Sequence, residues 1–356
     1  MSKIRAFLLP AVLLLLLQSN SLLGQDQHFT QYYASPLTLN PALAGAFSGT
    51  YRMSLIYRDQ WRNALTQPFA TYSAAIDYRA QLKVKKKVLK DNVGVGVLFY
   101  NDRVPETGFY HNQINIAAAY HKSLNYRKNE FLTFGLQWGL NQRNFDYENF
   151  NFEDQFNGTN GYTLPGREDL PLNNFAFGDL AIGLNYTSAP DRGIGLYAGV
   201  AMHHILEPEI SFYQAEDNFL GVKTNRLRRK YTAHAGLKIP LGERVQVLPR
   251  VLAYSQGPHL AVNAGSNFRF LVSETNGAAV HLGAWVRPAK DEQNILRVDA
   301  LIGMVGFEYQ SFLVGFSYDA TVSYWTTAGR RTGAFELSLA YPVSYTHLTL
   351  PTSDLV

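Results

Sequence analysis

The stretch Leu132-Thr133-Phe134-Gly135-Leu136-Gln137-Trp138-Gly139-Leu140-Asn141 alternates large apolar residues with glycine and small polar ones. Successive side chains of a β-strand point to opposite faces, so this stretch reads as a strand with one greasy wall and one polar wall. The same reading holds on either side of it. Ile114, Ile116 and Ala118 oppose Gln113, Asn115 and Ala117. Ile194, Leu196, Ala198 and Val200 oppose Gly195, Tyr197 and Gly199. Phe312, Val314, Phe316 and Tyr318 oppose Ser311, Gly315, Ser317 and Asp319, and Phe335, Leu337, Leu339 and Tyr341 oppose Glu336, Ser338 and Ala340.

Working outward, about fourteen such segments cover the chain from Tyr51 onward, each near the length that a tilted membrane strand needs. They fall near 51–58, 69–79, 93–101, 109–121, 131–141, 176–187, 193–203, 230–239, 244–254, 259–271, 277–287, 294–304, 307–319 and 333–341. A soluble β-sandwich also alternates, but three features favour a transmembrane antiparallel outer-membrane β-barrel. Aromatic residues gather at segment ends (Tyr57, Tyr78, Tyr100, Tyr110, Tyr120, Tyr186, Tyr254 and Tyr318), where amphipathic rings meet a lipid–water boundary. The opposing face is glycine-rich and small, unlike a dry sandwich core. Long connections, 142–175 and 204–229, alternate with short ones such as 188–192, 240–243 and 305–306, as in barrels whose long loops share one end. The basic connection 80–92 is the exception, being long where a short turn is expected.

Composition agrees. Of 356 residues, 13% are aromatic and only 17% charged, fewer charges than a soluble domain usually carries. The net charge of +4 comes with no basic stripe interleaved with aromatics, so nothing points to nucleic acid. Lys3 and Arg5 precede an apolar run, Ala6 to Leu17, and then small residues from Ser19 to Gly24. This is the pattern of a secretory signal peptide, residues 1–24, with cleavage after Gly24 or, since Leu22 is a poor residue at that spacing, after Ser21. The barrel is expected over 51–341.

Motifs for chemistry are sparse. Gly94 and Gly96 in a run of valines lack the third glycine and the helix of a phosphate loop. His203 and His204 are neighbours, and neighbours on a strand point apart, which makes a poor metal pair. There is no G-x-S-x-G elbow. We expect no enzyme, no cofactor and no metal site. The run 144–157 interleaves acids and amides with Phe145, Tyr147, Phe150, Phe152 and Phe156. An aromatic loop of this kind is expected either to contact a partner protein or to fold over the barrel mouth. Arg226, Arg228, Arg229 and Lys230 close the other long connection with positive charge, suited to lipid headgroups.

The segment after the signal peptide carries recognisable text. Gln25-Asp26-Gln27-His28-Phe29-Thr30-Gln31-Tyr32-Tyr33 leads to Leu39-Asn40-Pro41-Ala42-Leu43-Ala44-Gly45, then Tyr57-Arg58-Asp59-Gln60-Trp61 and Pro68-Phe69-Ala70-Thr71-Tyr72-Ser73. Together with Gly315 to Asp319 and Gly333 to Leu339, this resembles the PorP/SprF family, outer-membrane proteins of the type IX secretion and gliding apparatus. The resemblance implies a non-enzymatic role in export or surface attachment of a secreted substrate or adhesin with a C-terminal sorting domain. Its implied partners are the type IX secretion components, that substrate and outer-membrane lipid. Asn40 to Gly45 is also similar to the hatch motif of fatty-acid transporter barrels. That likeness implies a lumenal plug over 25–50, with a periplasmic arm as the other reading, and transport of small hydrophobic molecules as the alternative function. The last residues, 342–356, resemble translated adapter read-through and are expected to be a non-native tail after a final strand ending at Tyr341.

Overall fold

The computed structural model describes Asp26 and residues 28–84, 87–127, 129–147, 150–167, 170–190, 193–212, 225–290, 294–322 and 332–343. The signal-peptide reading, 1–24, and most of the tail reading, 344–356, lie outside the described residues.

Fourteen antiparallel strands close into one barrel, each paired with its neighbours in sequence, and β1 (Tyr51–Gln60) pairs with β14 (Gly333–Val343) to close it. Between them run β2 (Phe69–Val84), β3 (Lys87–Val104), β4 (Phe109–Ser123), β5 (Glu130–Phe145), β6 (Asn174–Ser188), β7 (Gly195–His203) and β8 (Lys230–Pro240). Then follow β9 (Val245–Gln256), β10 (His259–Ser273), β11 (Ala278–Lys290), β12 (Leu296–Tyr309) and β13 (Phe312–Thr321). Closure leaves no edge strand, so every strand finds backbone partners on both sides.

The alternation seen in sequence is inside-out. Along β5, Leu132, Phe134, Leu136, Trp138 and Leu140 are exposed, while Thr133, Gln137 and Asn141 are buried. Trp138 is 51% exposed on the outer wall; Gln137 beside it is 4% exposed. Water would not tolerate a continuous outer wall of Ile, Leu, Phe and Trp on a soluble monomer; patches that large mark a surface meant for another medium or partner.

Boundaries needed three corrections. Pairing runs past the expected ends of β2 and β3, with Lys83 opposite Val88 and Val84 opposite Lys87, so 80–92 is mostly ladder rather than loop. Its basic residues suited a connection, but strand pairing does not require the outer reaches of a hairpin to be apolar. The expected turn at 305–306 lies inside β12; Gly306 is an inner-face residue, and the chain reverses at Gln310 and Ser311, whose φ values of 49° and 71° suit a tight two-residue hairpin. β14 continues to Val343, with Tyr51 opposite Val343, so Pro342 and Val343 belong to the sheet rather than to a tail.

Aromatic placement also needed correcting. Tyr78, Tyr120 and Tyr318 do lie on the exposed face, but Tyr100 and Tyr254 are buried inward. Their position near strand ends suggested a girdle; strand parity sends their rings inside, where Tyr100 packs edge-on to Phe29 and Tyr254 lies against His28.

Residues 29–47 are mostly buried and pack against inward-facing strand residues. Phe29, Tyr32, Tyr33, Ala34 and Leu39 form a common core with inward residues Leu252, Tyr254, Trp285, Ile302 and Met304. The segment enters beside the ends of β7 to β9, where the Asp26 amide donates to Gln256 Oε1 at 2.8 Å. It leaves beside Tyr51 and Val343, where Thr50 N donates to the Val343 carbonyl at 2.8 Å. It therefore crosses the barrel from the end with the long connections to the end with the short turns.

Candidate functional site

Two regions carry the residues singled out in sequence: the internal segment with the wall that holds it, and the long-connection end.

Asn40, Pro41, Ala42 and Gly45 sit at the centre of the internal segment. Pro41 opens a single helical turn whose missing N–H would have no partner there in any case. Asn40 is fully buried; its Oδ1 accepts from Ala42 N at 2.8 Å, and its Nδ2 donates to the carbonyls of Leu184 (3.0 Å) and Val200 (3.3 Å). One carboxamide thus caps the turn and ties it to β6 and β7. Gly45 takes a φ of 72°, and its N–H donates to Asp77 Oδ2 at 2.7 Å. Asp77 is also clasped by Arg52, at 2.9 and 2.7 Å, and Arg52 donates onward to the Leu43 carbonyl at 3.0 Å. His121 Nε2 lies 2.8 Å from the Ala44 carbonyl oxygen.

Three wall glycines make room for this turn. A Cβ on Gly94 would collide with the Ala44 carbonyl, one on Gly135 with the backbone of Pro41 and Ala42, and one on Gly183 with the Asn40 side chain. Gly94, which had tempted a phosphate-loop reading, is there for close approach of backbone to backbone.

Nearer the long-connection end, a buried ionic cluster grips Thr30 and Gln31. Glu336 accepts the amides of Thr30 (2.7 Å) and Gln31 (2.8 Å), and it pairs with Arg58. Asp319 pairs with Arg58 at 3.1 Å and Arg287 at 2.8 Å, and it accepts the Thr30 hydroxyl at 2.7 Å. Arg58 was singled out as a motif residue; its role is this cluster. Tyr57 donates to Asp59 at 3.3 Å, and Gln60 lies within reach of Arg58. Trp61 takes a φ of 63°, donates its amide to the Gly333 carbonyl at 2.8 Å and packs on Phe69. Sequence reading missed Glu336, Asp319 and Arg287 as a unit. The signal was there: each is an ionisable residue at inner-face parity within a strand, which demands a partner.

Three of the loop aromatics meet at Phe145. Its ring stacks on Phe150 at 5.2 Å, tilts against Tyr147 at 5.3 Å and meets Phe212 of the next long connection edge-on at 6.0 Å. Phe152 extends this group through Phe150, and Phe175 joins through Phe212 at 4.8 Å. Phe145 itself belongs to β5 rather than to the loop. Phe156 stands apart with Tyr162 at 5.3 Å, and these two rings are exposed by 43% and 51%.

At the same end, His204 leaves β7 with a φ of 57° and lies between two carboxylates, Asp26 at 2.6 Å and Asp179 at 2.7 Å. Lys230 approaches Asp26 at 3.4 Å. Burial disfavours a charged imidazole, but Asp26 and the Asp179 hydrogen bond outweigh it and hold the His204 pKa up at about 9. Burial likewise opposes the Asp26 carboxylate, and His204 and Lys230 overcome it, holding Asp26 well below the usual range. A raised histidine pKa contributes its full stabilisation below about 6.5 and loses it as pH rises through about 9. A depressed aspartate contributes above its ordinary value near 3.8 and loses it as pH falls below that. The latch at Asp26 is therefore closed across neutral pH. Hydrogen exchange of the Asp26 amide is expected to accelerate as pH passes about 9 by more than that of an unstructured peptide, and His204→Gln should remove the excess. A rate running parallel to the peptide control would contradict the latch.

Residues 21–341 match the family described as type IX secretion system membrane protein PorP/SprF. The chain belongs to the PorP/SprF family. In this PorP/SprF barrel, Asn40, Gly45 and Arg58 join the N-terminal segment to the wall, whereas Tyr57, Gln60 and Trp61 contact their strand neighbours. No curated protein matches the sequence. Among solved structures, the barrel is similar to the CymD monoaromatic hydrocarbon channel, with 11% identity, 91% of this chain and 96% of that chain covered, and a TM-score of 0.48. It is similar to the Pseudomonas putida toluene transporter TodX, with 10% identity, 89% and 98% covered, and a TM-score of 0.46. A Pseudomonas aeruginosa FadL homologue gives 10% identity, 85% and 92% covered, and a TM-score of 0.47.

Proposed function

We propose that this PorP/SprF protein is a non-enzymatic outer-membrane barrel, exported by its signal peptide and plugged by the segment 25–50. Its role is to support export or surface attachment of a particular secreted protein by the type IX secretion and gliding apparatus. The observation that carries the reading is the use of the interior: the inner wall holds the chain's own segment through the core and the ionic cluster. What remains for a partner is the long-connection end, where two connections join through Phe145, Phe150, Phe175 and Phe212 and present Phe156 and Tyr162. Aromatic side chains that are rigid and partly exposed favour protein contact.

The outer wall of Leu, Ile, Val and Phe supports lipid as its solvent, and the self-paired sheet satisfies the backbone there. The alternative, passage of small hydrophobic molecules, is less well supported by the cavity of about 330 Å³ at the long-connection end, whose lining includes Asp26, Asp102, Arg143 and Asp179 rather than a continuous apolar wall.

Shortening the connection from Tyr147 to Leu172 to a brief polar turn, which spares β5 and β6, is expected to abolish surface display of one exported protein. The barrel should still assemble, as read by heat-dependent gel mobility. Undiminished display of every exported protein would count against this placement of the contact.

A further inference from the structure

The cavity at the long-connection end has a charge inventory that does not balance. Two of its carboxylates are ion-paired, Asp26 with His204 and Lys230 and Asp179 with His204, and Asp102 accepts the Thr71 hydroxyl at 2.6 Å. Arg143, Arg226 and Arg228 all line the cavity, and none has a carboxylate partner among the described residues. Arg143 lies over the Phe177 ring at 5.7 Å, and its buried Nε has no hydrogen-bond partner among the described residues. Arg226 and Arg228 were read from sequence as facing lipid headgroups, but they line this cavity within the mouth of the closed sheet. Arg229, between Arg228 and Lys230, pairs instead with Glu207 at 3.4 Å.

The neighbouring wall is made of carboxamides. Gln113 and Asn115 on β4 and Gln137 and Asn141 on β5 line the same cavity. Gln137 Oε1 and Asn141 Nδ2 lack partners among the described residues. A carboxamide offers one acceptor and two donor hydrogens, the same complement as a peptide group can pair with, whatever side chains the peptide bears. Inner-face residues on a strand recur every two residues, about 7 Å, which is also the repeat of an extended peptide.

We infer that this cavity is a receptor pocket for an extended, acidic polypeptide segment. The carboxamide wall pairs with its backbone, and Arg143, Arg226 and Arg228 pair with its carboxylates. Arginine suits this because its planar fork meets a carboxylate with two parallel hydrogen bonds. The size falls within the range of ligand pockets. A headgroup in the surrounding leaflet would lie outside the sheet, away from this wall. The inference deepens the proposed function by naming where, and by what chemistry, an exported chain is held.

The test uses the purified mature full-length protein in detergent and a fluorescein-labelled hexaglutamate peptide. Saturable binding is expected that weakens as salt rises, with a glycine–serine hexapeptide failing to bind. Arg143→Gln, and separately Arg226→Gln with Arg228→Gln, should each weaken binding about tenfold, while Arg127→Gln at the short-turn end should leave it unchanged. The rim pair is exposed, so that variant tests the idea even if Arg143→Gln fails to assemble. Absence of saturable binding, indifference to the rim variant, or equal binding of the glycine–serine peptide overturns the pocket. So does full competition by inorganic phosphate at peptide concentrations, which would mark a simple anion site. Loss of surface display on shortening 147–172 without hexaglutamate binding would leave the proposed function standing and remove the pocket. Hexaglutamate binding with display intact in that shortened variant would do the reverse.

Discussion

Replacing Gly135 by valine is expected to drive the internal segment out of the barrel and open a conducting path through it. Gly135 lies on an extended strand whose φ any residue adopts, so the sheet itself does not require glycine there. What requires it is the backbone of Pro41 and Ala42, which already occupies the place a Cβ would take. Overpacking a fitted interior costs about 1–3 kcal/mol when side chains can shift, and more when the obstacle is backbone. The sheet is closed by its own ladder, from Tyr51 opposite Val343 to Gln60 opposite Ala334, so it has no need of the segment to stay paired. The segment should yield first. In planar lipid bilayers, Gly135→Val is expected to show steady conductance where the parent protein shows none, and residues 28–47 should become cleavable by added protease. Gly94→Val should behave alike, because it meets the Ala44 carbonyl. Gly303→Val is the control: it faces outward with nothing within 4 Å of the new Cβ. Equal conductance in parent, variants and control would remove the plug from the proposed function.

The second large effect is expected at Glu336. Its carboxylate is wholly buried and serves three donors at once: Arg58 and the amides of Thr30 and Gln31. Glu336→Gln leaves Arg58 with Asp319 alone, a carboxylate it shares with Arg287, which keeps Asp299 as well at 3.1 Å, so the buried Arg58 charge loses one of its two partners. Breaking a buried pair from one side costs about 3–5 kcal/mol. We expect a clear fall in the temperature at which the folded gel band converts to the unfolded one, and faster exchange of the Thr30 and Gln31 amides. Adding Arg58→Gln should recover much of the loss, because the orphaned charge goes with it; neighbours in one network are not additive. Additive losses in the double variant would mean that the cluster does not act as a unit.

The latch at Asp26 and the ionic cluster divide the work of holding the segment. Asp26 and His204 lie beside the mouth, where titration reaches them; Glu336, Asp319, Arg58 and Arg287 lie deeper. Alkaline pH should therefore loosen the amino end of the segment without freeing Thr30.

Much of the architecture was legible from residues 132–141 alone. Two-residue periodicity is local: it depends only on which face a side chain takes, so Leu132, Phe134 and Trp138 announce an outer wall before any partner strand is known. The alternation of connection lengths then gave the end-to-end order, and each of the fourteen strands lies over one of the expected segments. Where reading failed, it took a residue type for a location. Gly306 looked like a turn and is wall; Tyr100 and Tyr254 looked like a girdle and are core.

Sequence by itself determined the strand faces, the closed antiparallel order and the family text from Asn40 to Gly45 and from Tyr57 to Trp61. Only the tertiary structure decided what that text is for. Asn40 reaches β6 and β7, Gly45 reaches Asp77, and Arg58 reaches Asp319 and Glu336, more than two hundred and fifty positions away in the last case. Such contacts have no periodicity to betray them, because closing the barrel, not local spacing, brings β1, β13 and β14 around the segment.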